Sequence, residues 1–127
     1  MTVVNLYVAP TAKKGRGVFT EDALPANTVI EVAQAITISD HDRQHIDKTI
    51  LHDYIFEWGN ERKECAMALG LVPIYNHSYD SNCTYIMPYD SQEFIIQTVK
   101  NIEAGEELTI NYNGEPTDAT PIWFDAE

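Results

Sequence analysis

The sequence predicts a single, mostly β domain that carries one short helix. Three observations predict it. The chain has 127 residues, which fits one domain and leaves little room for a second. Segments rich in β-branched and aromatic residues recur along it, bounded by turn-forming residues. Only one stretch has the capping and spacing of a helix.

The elements follow in order. Val3 to Val8 reads as a strand that stops at Ala9-Pro10. Leu24-Pro25-Ala26-Asn27 is a turn signal, and Val29 to Ile38 beyond it is the longest strand-like run. The helix is expected from Asp40 to about His52, with Ser39 or Asp40 as its N-cap and Ile46, Ile50 and Leu51 facing inward. Pro88-Tyr89-Asp90-Ser91 then turns the chain into a strand over Phe94 to Val99. Glu103-Ala104-Gly105-Glu106 turns it into another over Leu108 to Tyr112. No repeat, low-complexity tract or linker interrupts the series.

Composition narrows the class. A chain of this size buries roughly two-thirds of the surface that its unfolded form exposes, enough for a true core. The longest apolar run, Ala66 to Tyr75, is ten residues long and is broken by Gly70 and Pro73. A membrane span needs about 20. The N-terminus shows no basic region followed by an apolar core, so an intracellular, cytoplasmic protein is expected, or a nuclear one in a eukaryote. Cys65 and Cys83 make neither a disulfide framework nor a metal-binding set.

The formal net charge is −12, and the last 27 residues hold seven acidic side chains and no lysine or arginine. Such a surface repels nucleic acid phosphates, so direct nucleic acid binding is not expected, and it attracts basic peptides. Acidity of this kind also serves solubility alone.

Three motifs carry chemistry. Lys13-Lys14-Gly15-Arg16-Gly17-Val18-Phe19 places two glycines where backbone amides can approach an anionic group closely, or where a plain turn joins two strands. Asn76-His77-Ser78-Tyr79-Asp80-Ser81-Asn82 begins with an amide that both donates and accepts, suited to an amino acid head group or to capping a loop. Glu107-Leu108-Thr109-Ile110-Asn111-Tyr112 ends on a tyrosine whose hydroxyl either meets a substrate or is satisfied within a half-buried strand. Asp40-His41-Asp42 with His45 puts two imidazoles at helical spacing, but no third ligand follows, and no metal site is expected.

Taken in this order, the three motifs resemble the SET domain of protein lysine methyltransferases, and the resemblance covers nearly the whole chain. It implies a β-clip fold, with small curved sheets, a short helix and a threaded C-terminal pseudoknot. It also implies that residues 1–127 form one SET domain. The implied activity is methyl transfer from S-adenosylmethionine, leaving S-adenosylhomocysteine, to a lysine ε-amine of a basic, histone-like protein or peptide. The alternative is a silent module that binds peptide or cofactor.

The resemblance assigns cofactor binding to Lys14, Gly15, Arg16 and Gly17, to the Asn76 side chain and to the His77 backbone. It assigns catalysis to Tyr112, and Tyr54 joins it because Tyr54-Ile55-Phe56 is similar to a Tyr-Leu-Phe segment that lines the lysine pocket of related enzymes. Ile110 stands where relatives often carry a pocket-tuning aromatic. Tyr79 replaces the family's usual cysteine, which removes a zinc ligand found in some members, and Ser81 replaces proline, which is expected to loosen the turn before Asn82. Many members close the lysine channel with a zinc-bound, cysteine-rich tail, and residues 113–127 hold no cysteine. Residues 113–127 are expected to close the channel instead, with Trp123 and Phe124 covering the cofactor or simply docking on the core.

Overall fold

The longest strand, β3 (Val29–Ile38), organises the molecule because its two halves pair with different partners. The structure is a computed structural model, and it describes residues 1–58 and 63–112. The first half of β3 runs antiparallel to β8 (Glu93–Thr98), and the second half runs antiparallel to β5 (Glu64–Ala68). Adding β4 (Phe56–Trp58) and β7 (Cys83–Ile86) at the edges gives a five-stranded antiparallel sheet of order β4-β5-β3-β8-β7. A second sheet, of order β1-β2-β9-β6, joins β1 (Leu6–Pro10), β2 (Arg16–Thr20), β9 (Glu107–Ile110) and β6 (Asn76–His77). Mostly short strands in curled sheets with one short α-helix make up the described fold, as the sequence predicts.

Strand alternation builds the core. On β8 every second residue, Phe94, Ile96 and Thr98, is fully buried, the period expected of a strand with one face inward. Leu108 and Ile110 do the same on β9 and meet Val18 of β2. Phe56 and Trp58 close the far edge, their rings 4.8 Å and 5.6 Å from that of Phe94. Each of the aliphatic and phenylalanine side chains among them stabilises the fold by roughly 1.5–3 kcal/mol through burial. A bulge between Val29 and Glu31 shifts the phase of β3, so that Ile30 and Glu31 are both buried although adjacent.

β9 decides how the motifs meet. It lies between β2 and β6, antiparallel to the first and parallel to the second, with Asn76 opposite Thr109 and His77 opposite Ile110. Asn82 fastens the arrangement: its amide donates to Glu106 Oε2 at 2.9 Å and to the Glu107 carbonyl at 2.8 Å, and its Oδ1 accepts from Thr109 N at 2.8 Å. Ser81 does not loosen the turn before it. Its buried hydroxyl donates to the Cys83 carbonyl at 2.9 Å, a tie that proline could not make.

The expected helix is shorter than its sequence suggests. α1 covers Asp40–Ile46, with Ser39 as N-cap accepting from Asp42 N at 3.1 Å, and a separate 3-10 turn covers Ile50–Asp53. Thr49 divides them, donating its hydroxyl to the Ile46 carbonyl and accepting from Leu51 N, local bonds that compete with a continuous helix. The inward face also fails to form: Ile50 is 74% exposed, Leu51 39%, and Ile46 only partly buried. This segment instead docks through Arg43, which donates to the carbonyls of Lys63 and Glu64 ahead of and on β5. β1 begins three residues later than expected and keeps Pro10, which as an edge residue need donate no ladder bond.

Candidate functional site

A cleft of about 440 Å³ opens where the loop before β2, the 3-10 turn Ile50–Asp53 and the end of β9 converge. Lys14, Gly15 and Arg16 line it together with Asn76, Tyr54 and Tyr112. Residues spread over nearly the whole chain therefore share one cavity. A narrower void of about 10 Å³, room for about one water, adjoins it between Asp53, Tyr54, Ile55, Phe56, Pro73 and Tyr112.

The glycine segment is held from several directions. Thr11 closes the loop, its N–H and hydroxyl donating to the Gly15 carbonyl at 2.6 Å and 2.9 Å. Gly15 takes φ +70°, a left-handed conformation that glycine adopts without a Cβ penalty. Lys14 crosses to β6, where its Nζ donates to the His77 carbonyl at 2.5 Å. Gly17 is not part of the cleft's lining, and a Cβ there would stand 2.4 Å from Glu107 Oε2 and 3.0 Å from Asn76 Nδ2. Close approach, not a special dihedral, requires glycine at that position.

Asn76 is oriented before any ligand arrives. Its Nδ2 donates to the Arg16 carbonyl at 3.0 Å and to Glu107 Oε2 at 2.8 Å. Both amide protons are thus used inside the protein, and among the described residues no donor faces Oδ1. His77 is fully buried, and its Nδ1 accepts from Tyr112 N at 3.1 Å, which places any single ring proton on Nε2. Its ring lies against Tyr79 and Tyr112, with centroids at 4.4 Å and 5.1 Å.

Tyr112 is half-buried, and its hydroxyl donates to the Tyr75 carbonyl at 2.9 Å. Burial, followed by the charges of Tyr54, Asp53 and Tyr85, pushes this phenol up to about 12, so it stays protonated near neutral pH. With its proton directed at Tyr75, the oxygen lone pairs are what the phenol can offer to a donor in the cleft. Tyr54, 39% exposed, caps the 3-10 turn beside it. Ile110 is fully buried in the core and does not line the cleft.

Trp123 and Phe124 lie outside the described residues, with the rest of 113–127. His41 and His45 meet edge to face at 5.5 Å on α1. Among the described residues no three His, Cys, Asp or Glu side chains gather as metal ligands, and no helix is long and apolar enough to cross a membrane. Several site residues escaped the sequence reading, Pro73 and Ile74 of the lining among them. Glu107 lies within a motif but its partnership with Asn76 is set by sheet order, Asp53 lines the cleft one position before Tyr54, and Tyr75 supplies the carbonyl acceptor for Tyr112.

The family described as SET domain matches residues 15–113. A Schizosaccharomyces pombe protein named histone-lysine N-methyltransferase, H3 lysine-37 specific, is 30% identical over 123 residues, covering 96% of this chain and 78% of the relative. A Cryptococcus neoformans protein named histone-lysine N-methyltransferase, H3 lysine-36 specific, is also 30% identical, but this chain spans only 14% of its length. Among solved structures, a Plasmodium falciparum protein assigned as a histone methyltransferase superposes with a TM-score of 0.64 at 23% identity, covering 86% of this chain and 93% of that one. A chain of an active polycomb repressive complex 2 superposes with a TM-score of 0.70 at 20% identity, covering 86% of this chain and 15% of that one. At those identities the two structures speak to the fold alone.

Proposed function

The chain belongs to the SET-domain family, and from that premise we propose that it is an S-adenosylmethionine-dependent protein-lysine N-methyltransferase. The observation that carries this reading is the meeting, in one cleft, of a protonated Tyr112 phenol with the Gly15–Arg16 loop and Asn76.

The cleft suits the cofactor. Its volume of about 440 Å³ falls in the range of pockets that hold ligands of this size, about 300–1,000 Å³. Asn76 Oδ1 offers an acceptor for the cofactor's ammonium. Arg16 makes no ion pair among the described residues, which suits it to the cofactor's carboxylate. Lys14 is spent on the His77 carbonyl, so its part is to brace the loop, and the same bond engages the His77 backbone. When bound, S-adenosylmethionine supplies an electrophilic methyl group on a sulfonium.

The chain's own residues align and shield the nucleophile. Tyr112 accepts from the substrate amine through the lone pairs left after its proton goes to Tyr75, and this points the amine lone pair along the line of attack. The amine must first lose a proton, which costs about 4 kcal/mol near neutral pH for an ordinary lysine of pKa ~10.4. Apolar walls such as Ile55, Phe56 and Pro73 beside Tyr112 lower that cost by disfavouring the ammonium. Release of the proton to water is sufficient, and no side chain is assigned as a base.

The substrate class follows from charge and kinship. A net charge of −12 favours a basic partner, and the named relatives act on histone H3 lysines. We therefore take the substrate to be a lysine-bearing basic protein of histone type, which in a eukaryote puts the enzyme in the nucleus. The same reading treats 1–127 as one SET domain.

Incubation with methyl-labelled cofactor and a histone or Lys-rich peptide, followed by mass spectrometry of the modified residue, tests the reading. Methyl-lysine is the expected product. A thermal shift with S-adenosylmethionine but no transfer to any basic protein would instead favour a silent binding module. Neither shift nor transfer would sink both.

A further inference from the structure

We propose that Glu31 is a positioning residue for the Tyr112 hydroxyl, acting through Tyr75. The inference rests on the methyltransferase reading for its kinetic consequences and on geometry for the contact itself.

Glu31 has no solvent exposure, and it is the one acidic side chain among the described buried residues. The bulge in β3 turns it inward, and its two oxygens are used separately. Oε1 accepts from the Tyr75 hydroxyl at 2.9 Å, and Oε2 accepts from Leu71 N at 2.7 Å. Leu71 and Tyr75 are the two caps of a 3-10 turn over Val72–Ile74. One carboxylate therefore clamps both ends of that turn. Gly70 admits it, since a Cβ at that position would stand 2.4 Å from Glu31 Oε2.

Tyr75 is the link. Its side chain is anchored on Glu31, and its backbone carbonyl is the acceptor for the Tyr112 hydroxyl at 2.9 Å. The direction of that carbonyl decides where the Tyr112 proton points, and hence which way the lone pairs face in the cleft. A carboxylate suits this task because it accepts at both oxygens and carries no proton of its own to compete. Burial raises the Glu31 pKa, so the ionised form is disfavoured there, and both accepted hydrogen bonds act against that shift. An apolar residue would fill the space without fixing the turn.

The test uses the full chain with Glu31→Gln and Tyr75→Phe, each alone and combined with Tyr112→Phe. Tyr75→Phe removes only a hydroxyl and keeps the carbonyl, so it stays informative even if Glu31→Gln does not fold. Methyl transfer to a Lys-rich peptide should lose tenfold or more in kcat in either variant, with peptide KM and cofactor affinity within about twofold of wild type. In the Tyr112→Phe background, single-turnover rates should show no further loss. A folded Tyr75→Phe protein with unchanged kcat would overturn the proposal. So would losses that add in full to that of Tyr112→Phe, because they would then reflect general loosening. An arm independent of activity uses protein labelled with carbon-13 at the tyrosine Cζ. The Tyr112 resonance, identified by its disappearance in Tyr112→Phe, should move in both variants, and an unmoved resonance rejects the proposal. Wild-type protein that transfers no methyl group would count against the proposed function, and the resonance would then decide the positioning role by itself.

Discussion

Asn76 Nδ2 donates to Glu107 Oε2 at 2.8 Å, and Gly17 lies directly against both groups. Three chain segments remote in sequence thus set the orientation of one amide. Gly17→Ala would place its Cβ 2.4 Å from Glu107 Oε2 and 2.9 Å from Thr11 Cγ2, so the Asn76–Glu107 bond has to give way. We expect cofactor affinity, measured by calorimetry, to fall tenfold or more. Gly15→Ala is the contrast. Nothing lies within 4 Å of its added Cβ, but φ is +70°, so the expected loss is about 1 kcal/mol of stability with affinity changed much less.

Tyr112→Phe deletes one hydroxyl and keeps a ring that packs against Phe56 and His77, with centroids at 6.4 Å and 5.1 Å. The melting temperature and cofactor affinity should stay close to wild type. The rate of methyl transfer should fall on the order of 100-fold to 1,000-fold, the usual loss for one positioned transition-state group. Transfer within a few-fold of wild type would make Tyr112 a core residue only.

The pH profile follows from the same phenol. Its folded pKa is raised from 10.0 to about 12, so the neutral form is favoured in the fold. The stability this contributes is fully present below pH 10 and is lost only as pH climbs through about 12. Meanwhile the substrate amine, with a pKa of ~10.4, becomes a better nucleophile as pH rises. We expect kcat/KM to increase from pH 7 to about 10 without a falling limb from Tyr112. A downturn centred below pH 9 that disappears in Tyr112→Phe would contradict this assignment.

Asn82→Ala tests the fastening of β9. The side chain is 8% exposed, and its loss strands Thr109 N and the Glu107 carbonyl in a part-buried setting. Denaturant unfolding should show a loss of about 2–3 kcal/mol, within the range for stranded buried polar groups. A change below 0.5 kcal/mol would mean that strand pairing alone holds β9 in place.

Local chemistry made much of this protein legible in its sequence. The span of β3 could be read from a run of β-branched residues, the helix cap to within Ser39 or Asp40, and the family from three ordered motifs. Strands such as β5, rich in alanine and cysteine, were not legible, because their propensity is weak and they form by pairing between β3 and β4. The helix was overextended for a related reason: apolar residues at helical spacing imply an inward face only where something packs against it, and Ile50 is left largely exposed among the described residues.

The sequence by itself determined which groups are available: the glycines, Asn76, Tyr54 and Tyr112. Only the tertiary structure decided that β9 runs between β2 and β6, that Glu107 therefore reaches Asn76, and that Tyr75 meets both Glu31 and Tyr112. The reason is physical. Propensity and spacing act over a few residues, whereas these hydrogen bonds join residues 31 to 44 positions apart and exist only once a shared core has excluded water around them.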